Sequence, residues 1–347
     1  MRPQLDLSRY DACPPYNNWL DERYSNGHDE LDILGFKPRP SEVLFSMSPD
    51  TYEASLPDFM QQREEDIKDA VFQRFPAPIA YYFYRFDSGY ENDLQRLHFL
   101  RDTWEAVVDV LHALAIAELR HCSIAVAAPL KFSDLFTDKI SVRLENIERI
   151  GAQLHAAGVD SVITNMVSSD TIAKMRALNQ ERNAFSHSPA QSEAQARDWV
   201  TECYDDVLDI LDDLMALEDI QIVRYLGQQN ATSIRCDVFN GHHTTRTIKN
   251  ISLTPQQAVA SMKYFQQGQM LVIAAGQVFS LRPVVHYRDD GAGHTTRLCL
   301  FRKTRSEAAV RTIEYSVLGE AVPHNENRAS FQVELNELRA QFGLEAE

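Results

Sequence analysis

ALNQERNAFSHSP, residues 177–189, divides the chain into parts of different character. Before it, apolar residues recur at helical spacing. Leu94, Leu97, Leu100, Trp104, Val107, Val108, Leu111 and Leu114 predict one long helix over residues 91–122. Val142, Ile147, Ile150 and Leu154 predict another over 141–157, stopped near Gly158. Ser168, Ser169 and Asp170 cap a third. It runs through Ile172, Met175, Leu178 and Arg182 and ends near His187, because Pro189 disfavours helix at Ser188. After the stretch, residues 192–219 predict a fourth helix. Its apolar face is Ala196, Trp199, Val200, Cys203, Val207, Ile210, Leu211, Leu214 and Leu217. Its other face carries Asp205, Asp206, Asp209, Asp212 and Asp213, most simply as a solvated surface. Four such helices with short links predict an up-and-down bundle over residues 89–219.

Beyond Asp219 the pattern becomes alternating and β-branched. IQIVRYL, TSIRCDVF, RTIKNISL, MLVIAAGQVFSLRPVVHY, TTRLCLFRK and RTIEYSVL predict strands. Asn240-Gly241 and Asp289-Asp290-Gly291 stand where hairpin turns belong. PQQAVASMKYF, residues 255–265, predicts one inserted helix. A short last helix closes the chain at 333–342. Residues 220–347 are therefore expected to form a β-rich, barrel- or sandwich-like domain, and the fold class is α+β. Residues 1–88 hold nine of the 14 prolines, within the first 78 positions. CPP, KPRP, SPD, LPD and FPAP predict short extended or turn-like pieces there. A short element at 29–35 and a helix at 57–75 are the exceptions. This extension is expected to lie over the rest without a core of its own.

Composition narrows the function. At 44% hydrophobic residues the chain can bury a sizeable core. It has no apolar run of the ~18 residues a membrane span needs, and its start lacks a secretory h-region. The five cysteines are scattered and never form CxxC. That pattern speaks against a disulfide framework or zinc knuckle and for a reducing, cytoplasmic setting. Net charge is −16, which disfavours indiscriminate nucleic-acid binding. Yet residues 220–315 hold twelve Lys/Arg against five Asp/Glu, a surplus of seven positives, so the remainder carries −23. The C-terminal part is the better place for an anion.

Within the opening stretch, Arg182-Asn183-Ala184-Phe185-Ser186-His187 joins an arginine, an amide and a histidine. Three other arginines precede a histidine at similar spacing, Arg23/His28, Arg235/His242 and Arg288/His294, so spacing alone decides nothing. Only Arg182/His187 closes a helix in a four-helix region. The bland alternative stays open: Arg182 pairs with Glu181 or an aspartate of the next helix, and His187 caps the helix end. Phe301-Arg302-Lys303-Thr304-Arg305 is a basic strand end that either grips an RNA backbone through Arg302, Lys303 and Arg305 or is simply solvated. His242-His243 has no carboxylate or cysteine at ligand spacing and reads as a turn. No cofactor or metal is expected.

RNAFSH in the third helix of a four-helix region resembles the R-x4-6-H motif of the HEPN superfamily, over roughly residues 91–219. That family includes metal-independent endoribonucleases of toxin–antitoxin, abortive-infection and CRISPR-type defence systems. A tyrosine two positions after the histidine is a nucleotidylation target in one subgroup. Here that position is Pro189, which counts against a role as partner of a nucleotidyltransferase. The resemblance implies RNA cleavage by the neighbouring 2′-hydroxyl, giving a 2′,3′-cyclic phosphate. In it His187 is general base or acid, Arg182 holds the phosphate, and Asn183 orients it or caps a neighbouring subunit's helix. One histidine serves poorly as both acid and base, so a homodimer through the helical bundle is expected, with the C-terminal domain binding substrate, a regulatory protein or a trigger. The rival expectation is a non-catalytic dimeric module that binds a protein or nucleic acid.

Overall fold

The prolines near the start of the chain open helices. In the computed structural model, Pro14, Pro40 and Pro49 take the first position of α1 (Pro14–Tyr24), α2 (Pro40–Met47) and α3 (Pro49–Ala54). Pro57 and Pro78 take the second position of α4 (Leu56–Arg74) and α5 (Ala77–Ser88). A helix's first turn has no intrahelical use for the N–H that proline lacks, and proline's fixed φ suits it. The expected extended pieces are corrected accordingly. The structure describes residues 7–25, 39–187, 192–243, 247–289, 295–307 and 310–346, without the side chains of 182–187, 305–307 and 310–311. The short element expected at 29–35 lies outside the described residues.

The chain forms two units, Met1–Asp69 and Ala70–Glu347. The first has a core of its own, contrary to expectation, built from Cys13, Tyr16, Leu20, Tyr52 and Phe59. Tyr16 lies 5.0 Å from Tyr52 and 5.2 Å from Phe59, ring to ring. The Tyr52 hydroxyl donates to Asn17 Oδ1 at 2.5 Å, which lets the ring be buried without stranding its polar end.

The second unit is organised by α6 (Asp93–Cys122). Asn92 caps it, accepting from the Gln95 N–H at 2.9 Å. Small and apolar residues surround most of its second half, so Val107 through Leu119 pass through the core. α6 packs on α5, α7 (Ile140–Ala156) and α10 (Glu193–Asp213), and α9 (Ser169–His187) packs on α7 and α10. The four helices α6, α7, α9 and α10 thus close a ring. Surface ion pairs join neighbours: Arg176–Glu148 at 2.7 Å, Lys174–Asp213 at 2.7 Å and Arg197–Asp93 at 2.6 Å. A short helix, α8 (Val162–Met166), enters the ring on a buried carboxylate. Glu118 of α6 accepts from Ser161 Oγ and from the N–H groups of Val162 and Ile163, at 3.0, 2.6 and 3.1 Å.

Two antiparallel sheets follow. β1 (Gln221–Asn230), β2 (Ser233–Val238), β3 (Thr247–Ser252), β4 (Met270–Ala274) and β5 (Gln277–Ser280) run in the order β3-β2-β1-β4-β5. The second sheet is β6-β7-β8-β9, from β6 (Val285–Asp289), β7 (Thr296–Glu307), β8 (Val310–Val317) and β9 (His324–Asn327). The run expected as one strand over 270–287 is three. Ala275 and Gly276, both at positive φ, turn β4 into β5, and Leu281–Val284 separates β5 from β6. α11 (Pro255–Ser261) opens on a capping box between Thr254 and Gln257, and α12 (Gln332–Gln341) stands near the end of the chain.

Asn240 does more than turn a hairpin. Its amide donates to the carbonyls of Arg74 and Ile220 at 2.7 and 2.6 Å and accepts from Ile222 N–H at 3.2 Å. Gly241 must follow it: φ is +81°, and a Cβ would stand 3.1 Å from the Phe72 and Gln73 carbonyls.

Buried guanidinium groups tie helices to sheets. Arg143 of α7 pairs with Asp109 of α6 and donates to the carbonyls of Thr137, Phe301 and Arg302 at 2.9, 3.2 and 2.8 Å. Arg120 of α6 donates to the Arg282 carbonyl and pairs with Glu337 at 3.4 Å. Arg224 of β1 joins Asp237 at 2.6 Å and Asp289 at 2.9 Å, linking the two sheets. Arg143→Met is expected to lower stability by about 2–4 kcal/mol, because it leaves a half-buried acid and the buried Phe301 carbonyl without their donor. Arg176→Met removes a surface pair and is expected to cost under about 1 kcal/mol. Urea unfolding of the two variants checks the contrast.

Candidate functional site

α9 carries Arg182, Asn183 and His187 on one unbroken run of helix. Thr171, Ile172, Met175, Leu178 and Asn179 form its buried stripe. By helical spacing, position 182 extends that stripe one turn beyond Leu178, and position 187 lies about 140° round the axis from 182. Positions 183 and 187 are one turn apart and share a side. The backbone therefore keeps the arginine and histidine positions apart within one chain and brings the asparagine and histidine positions together. The side chains of all three lie outside the described residues.

The neighbours of this helix end are well placed. Cys203 of α10 donates its thiol to Glu181 Oε2 at 3.5 Å. Burial, then the Glu181 carboxylate, pushes that thiol's pKa up. Glu181 already has a partner on α10. The aspartate face of α10 is less solvated than expected: Asp205, Asp206, Asp209 and Asp212 are half-buried, burial raises the pKa of Asp206, and Asp213 binds Lys174.

The basic strand end is engaged within the chain. Arg302 lies 3.3 Å from buried Glu314, and Lys303 lies 3.6 Å from Asp138. The Arg305 side chain lies outside the described residues. Arg302 also lines a recess of about 230 Å³ with Asp102, Glu105 and Asp109. Burial raises the carboxyl pKa of both Asp102 and Asp109. An RNA phosphate at Arg302 would have to displace Glu314 and face these acids. The same holds across the sheets: Arg288 and Arg297 both pair with Glu320, and Arg282 lies 3.4 Å from Glu334. Much of the C-terminal positive surplus is matched internally by acids, several of them beyond Tyr315.

A cleft of about 780 Å³ lies between the end of α6 and α12. Its cations Arg120 and Arg282 are held by Glu337 and Glu334, and Lys263 lies 4.8 Å from the Tyr264 ring centre. Opposite charges alternate along it, so it is no ready trap for a polyanion.

Histidine and cysteine chemistry divides sharply by burial. His242 sits in a bend, its Nδ1 3.0 Å from the Phe72 carbonyl, which fixes that nitrogen as the donor, and its ring stacks on Tyr84 at 4.2 Å. His112 is buried against Asn146, and burial lowers its pKa. Burial raises the thiols of Cys122, Cys236 and Cys299 to about 11, 12 and 12. A cysteine nucleophile needs the opposite shift. One further cluster has no local motif: His286, His324 and Glu326 converge although they come from strands far apart in the chain. No residue spacing reports that meeting, because it depends on how strongly the second sheet curls.

Among the described residues no helix is long and apolar enough to cross a membrane. Comparison with protein-family models, curated proteins and solved structures gives no match to this chain.

Cys122 is half-buried and the other four cysteines are buried. Alkylation of the native protein at pH 7.5 is therefore expected to label Cys122 slowly and the others only after denaturation. Mass spectrometry of the peptides checks it.

Proposed function

We propose that the chain is a metal-independent endoribonuclease of HEPN type, acting as a homodimer through its helical region. The supporting observation is the placement of Arg182–His187 at the C-terminal end of α9, the third member in chain order of the closed ring α6, α7, α9 and α10. In this reading the ring is the HEPN-like bundle, and the sheets form a barrel- or sandwich-like half that recognises the substrate or a trigger.

The chemistry favours the dimer. Cleavage needs both a base and an acid, and one histidine serves poorly as both. Two copies facing each other supply an arginine and two histidines to one scissile bond. One neutral His187 takes the proton of the 2′-hydroxyl, and the freed oxygen attacks the neighbouring phosphorus. The other His187, protonated, gives its proton to the departing 5′-oxygen. Arg182 stabilises the charge that builds on the phosphate. The products are a 2′,3′-cyclic phosphate and a 5′-hydroxyl, and DNA is spared for want of the 2′-oxygen. A role in antiviral defence or toxin-type growth arrest follows from the resemblance.

One feature favours a second reading, a non-catalytic dimeric module. Edge strand β3 is exposed along nearly its whole length, with Ile248 45% exposed. Such an edge is a template for a partner's strand.

Wild type incubated with total RNA in EDTA is expected to leave 2′,3′-cyclic ends, and His187→Ala to lose about 10²–10⁴-fold in rate. Arg182→Ala is expected to lose cleavage without losing the dimer. Cleavage that persists in His187→Ala, or that requires a divalent ion, rejects this mechanism. A dimer that binds RNA or protein without cutting it supports the second reading.

A further inference from the structure

The second sheet brings together three side chains that belong to its opposite edges. β6 and β9 are the outer strands of β6-β7-β8-β9. In a flat sheet they would lie about 14 Å apart. Yet the rings of His286 on β6 and His324 on β9 are 5.6 Å apart, nearly parallel at 27°. The sheet is therefore curled enough for side chains of its two edge strands to meet across the concave face. Register explains which residues face inward. His286 stands opposite Cys299, Cys299 opposite Val317, and Tyr315 opposite His324. Opposite residues and residues two apart share a face, so His286, Tyr315, His324 and Glu326 all line the concave side.

We propose that His286, His324 and Glu326 bind a divalent transition-metal ion of the zinc type. Both imidazoles present Nε2 to the same carboxylate oxygen: His286 and His324 each stand 3.6 Å from Glu326 Oε2. The three donor atoms lie within 4.8 Å of one another. A tetrahedral zinc ion with bonds of about 2.0–2.1 Å sets its ligands about 3.4 Å apart. The two edges that meet at Glu326 are already near that length.

The present contacts are poor as hydrogen bonds. A separation of 3.6 Å is beyond hydrogen-bond reach, and His324 Nε2 is buried with no partner. Buried polar atoms are ordinarily satisfied, and one left over asks for a ligand. Two imidazoles and one carboxylate suit zinc or a neighbouring transition metal, whereas magnesium and calcium prefer all-oxygen sites. Tyr315 and Phe331 wall the site, at 5.7 and 5.4 Å from the His286 ring. Three protein ligands leave a fourth position for water or an incoming donor, and the partial exposure of His324 and Glu326 leaves room for it. The ion would bridge β6 to β9 and hold the sheet in its curl. The site is on the sheets, separate from α9, and does not rest on the ribonuclease reading.

The test uses the full chain, stripped of metal with a chelator and then titrated with Zn²⁺ against a chromophoric chelator. One ion per chain is expected to bind, with a rise in Tm, and Co²⁺ is expected to give the strong visible bands of a four-coordinate site. His324→Ala, His286→Ala and Glu326→Gln are each expected to weaken binding more than about 100-fold. Glu326→Gln preserves shape, so it keeps the test valid if a histidine variant fails to fold. The double variant His242→Ala, His243→Ala is expected to bind as wild type. Stoichiometry well below one, binding unchanged in Glu326→Gln, or loss in the His242/His243 variant instead would overturn the assignment.

Discussion

The guanidinium of Arg143 ties two helices to the second sheet. Arg143 reaches from α7 to Asp109 on α6 and to two consecutive carbonyls, Phe301 and Arg302, on β7. Those carbonyls sit where β7 slips register against β8: Phe301 pairs with Tyr315 and Lys303 with Glu314, which leaves Arg302 over. A bulge turns carbonyls away from the strand ladder. Buried, they need a donor from elsewhere, and a planar group with several N–H donors can serve two at once while still holding an acid. Lysine has no such fork. Asp109 in turn is half-buried; lost hydration raises its carboxyl pKa, and Arg143 is the cation that favours its charged form. Helix, acid and bulge are thus conditions of one another. Arg120 and Arg224 repeat the logic at the cis-proline turn before β6 and between the sheets.

The long helices were legible because burial in them follows one period. Leu97, Leu100, Trp104, Val107 and Leu111 are all buried on α6, and the cap at Asn92 is the residue type that position calls for. The early prolines were misread because their meaning depends on direction. Before a helix they are favourable and inside one they break it, and the short segments after them carry too few residues to show a period. The run over 270–287 looked continuous because buried strands and the turns between them are equally apolar. Only Gly276 marked the first break, with Ala275 accepting a left-handed conformation that its sequence does not advertise. β9 was invisible: HNEN has no alternation of apolar and polar residues, and it is a strand through its pairing with residues 312–315 of β8.

The candidate sites divide along the same line. A local motif such as Arg182–His187 is visible in sequence because its parts are one helical turn or so apart. The engagement of Arg302 by Glu314, and of Lys303 by Asp138, was not visible, because net charge counts cations without their neighbours. The surplus of positives before Tyr315 looked like an invitation to an anion. In the fold, Glu320 and Glu334 from just beyond that window answer several of them. Counted on to residue 347, the surplus of seven positives falls to three, with 14 Lys/Arg against 11 Asp/Glu.

The register slip in β7 has a consequence for how the chain comes off the ribosome. Arg143 is made well before its acceptors at Phe301 and Arg302. At roughly 5–20 residues per second the interval is on the order of 10–30 s. Once Asp213 has been made, the helical ring has all its own residues but not the carbonyls that two of Arg143's donors need. During synthesis, then, the nascent ring carries a guanidinium between α6 and α7 that still lacks two of its acceptors, and the arrival of β7 supplies them.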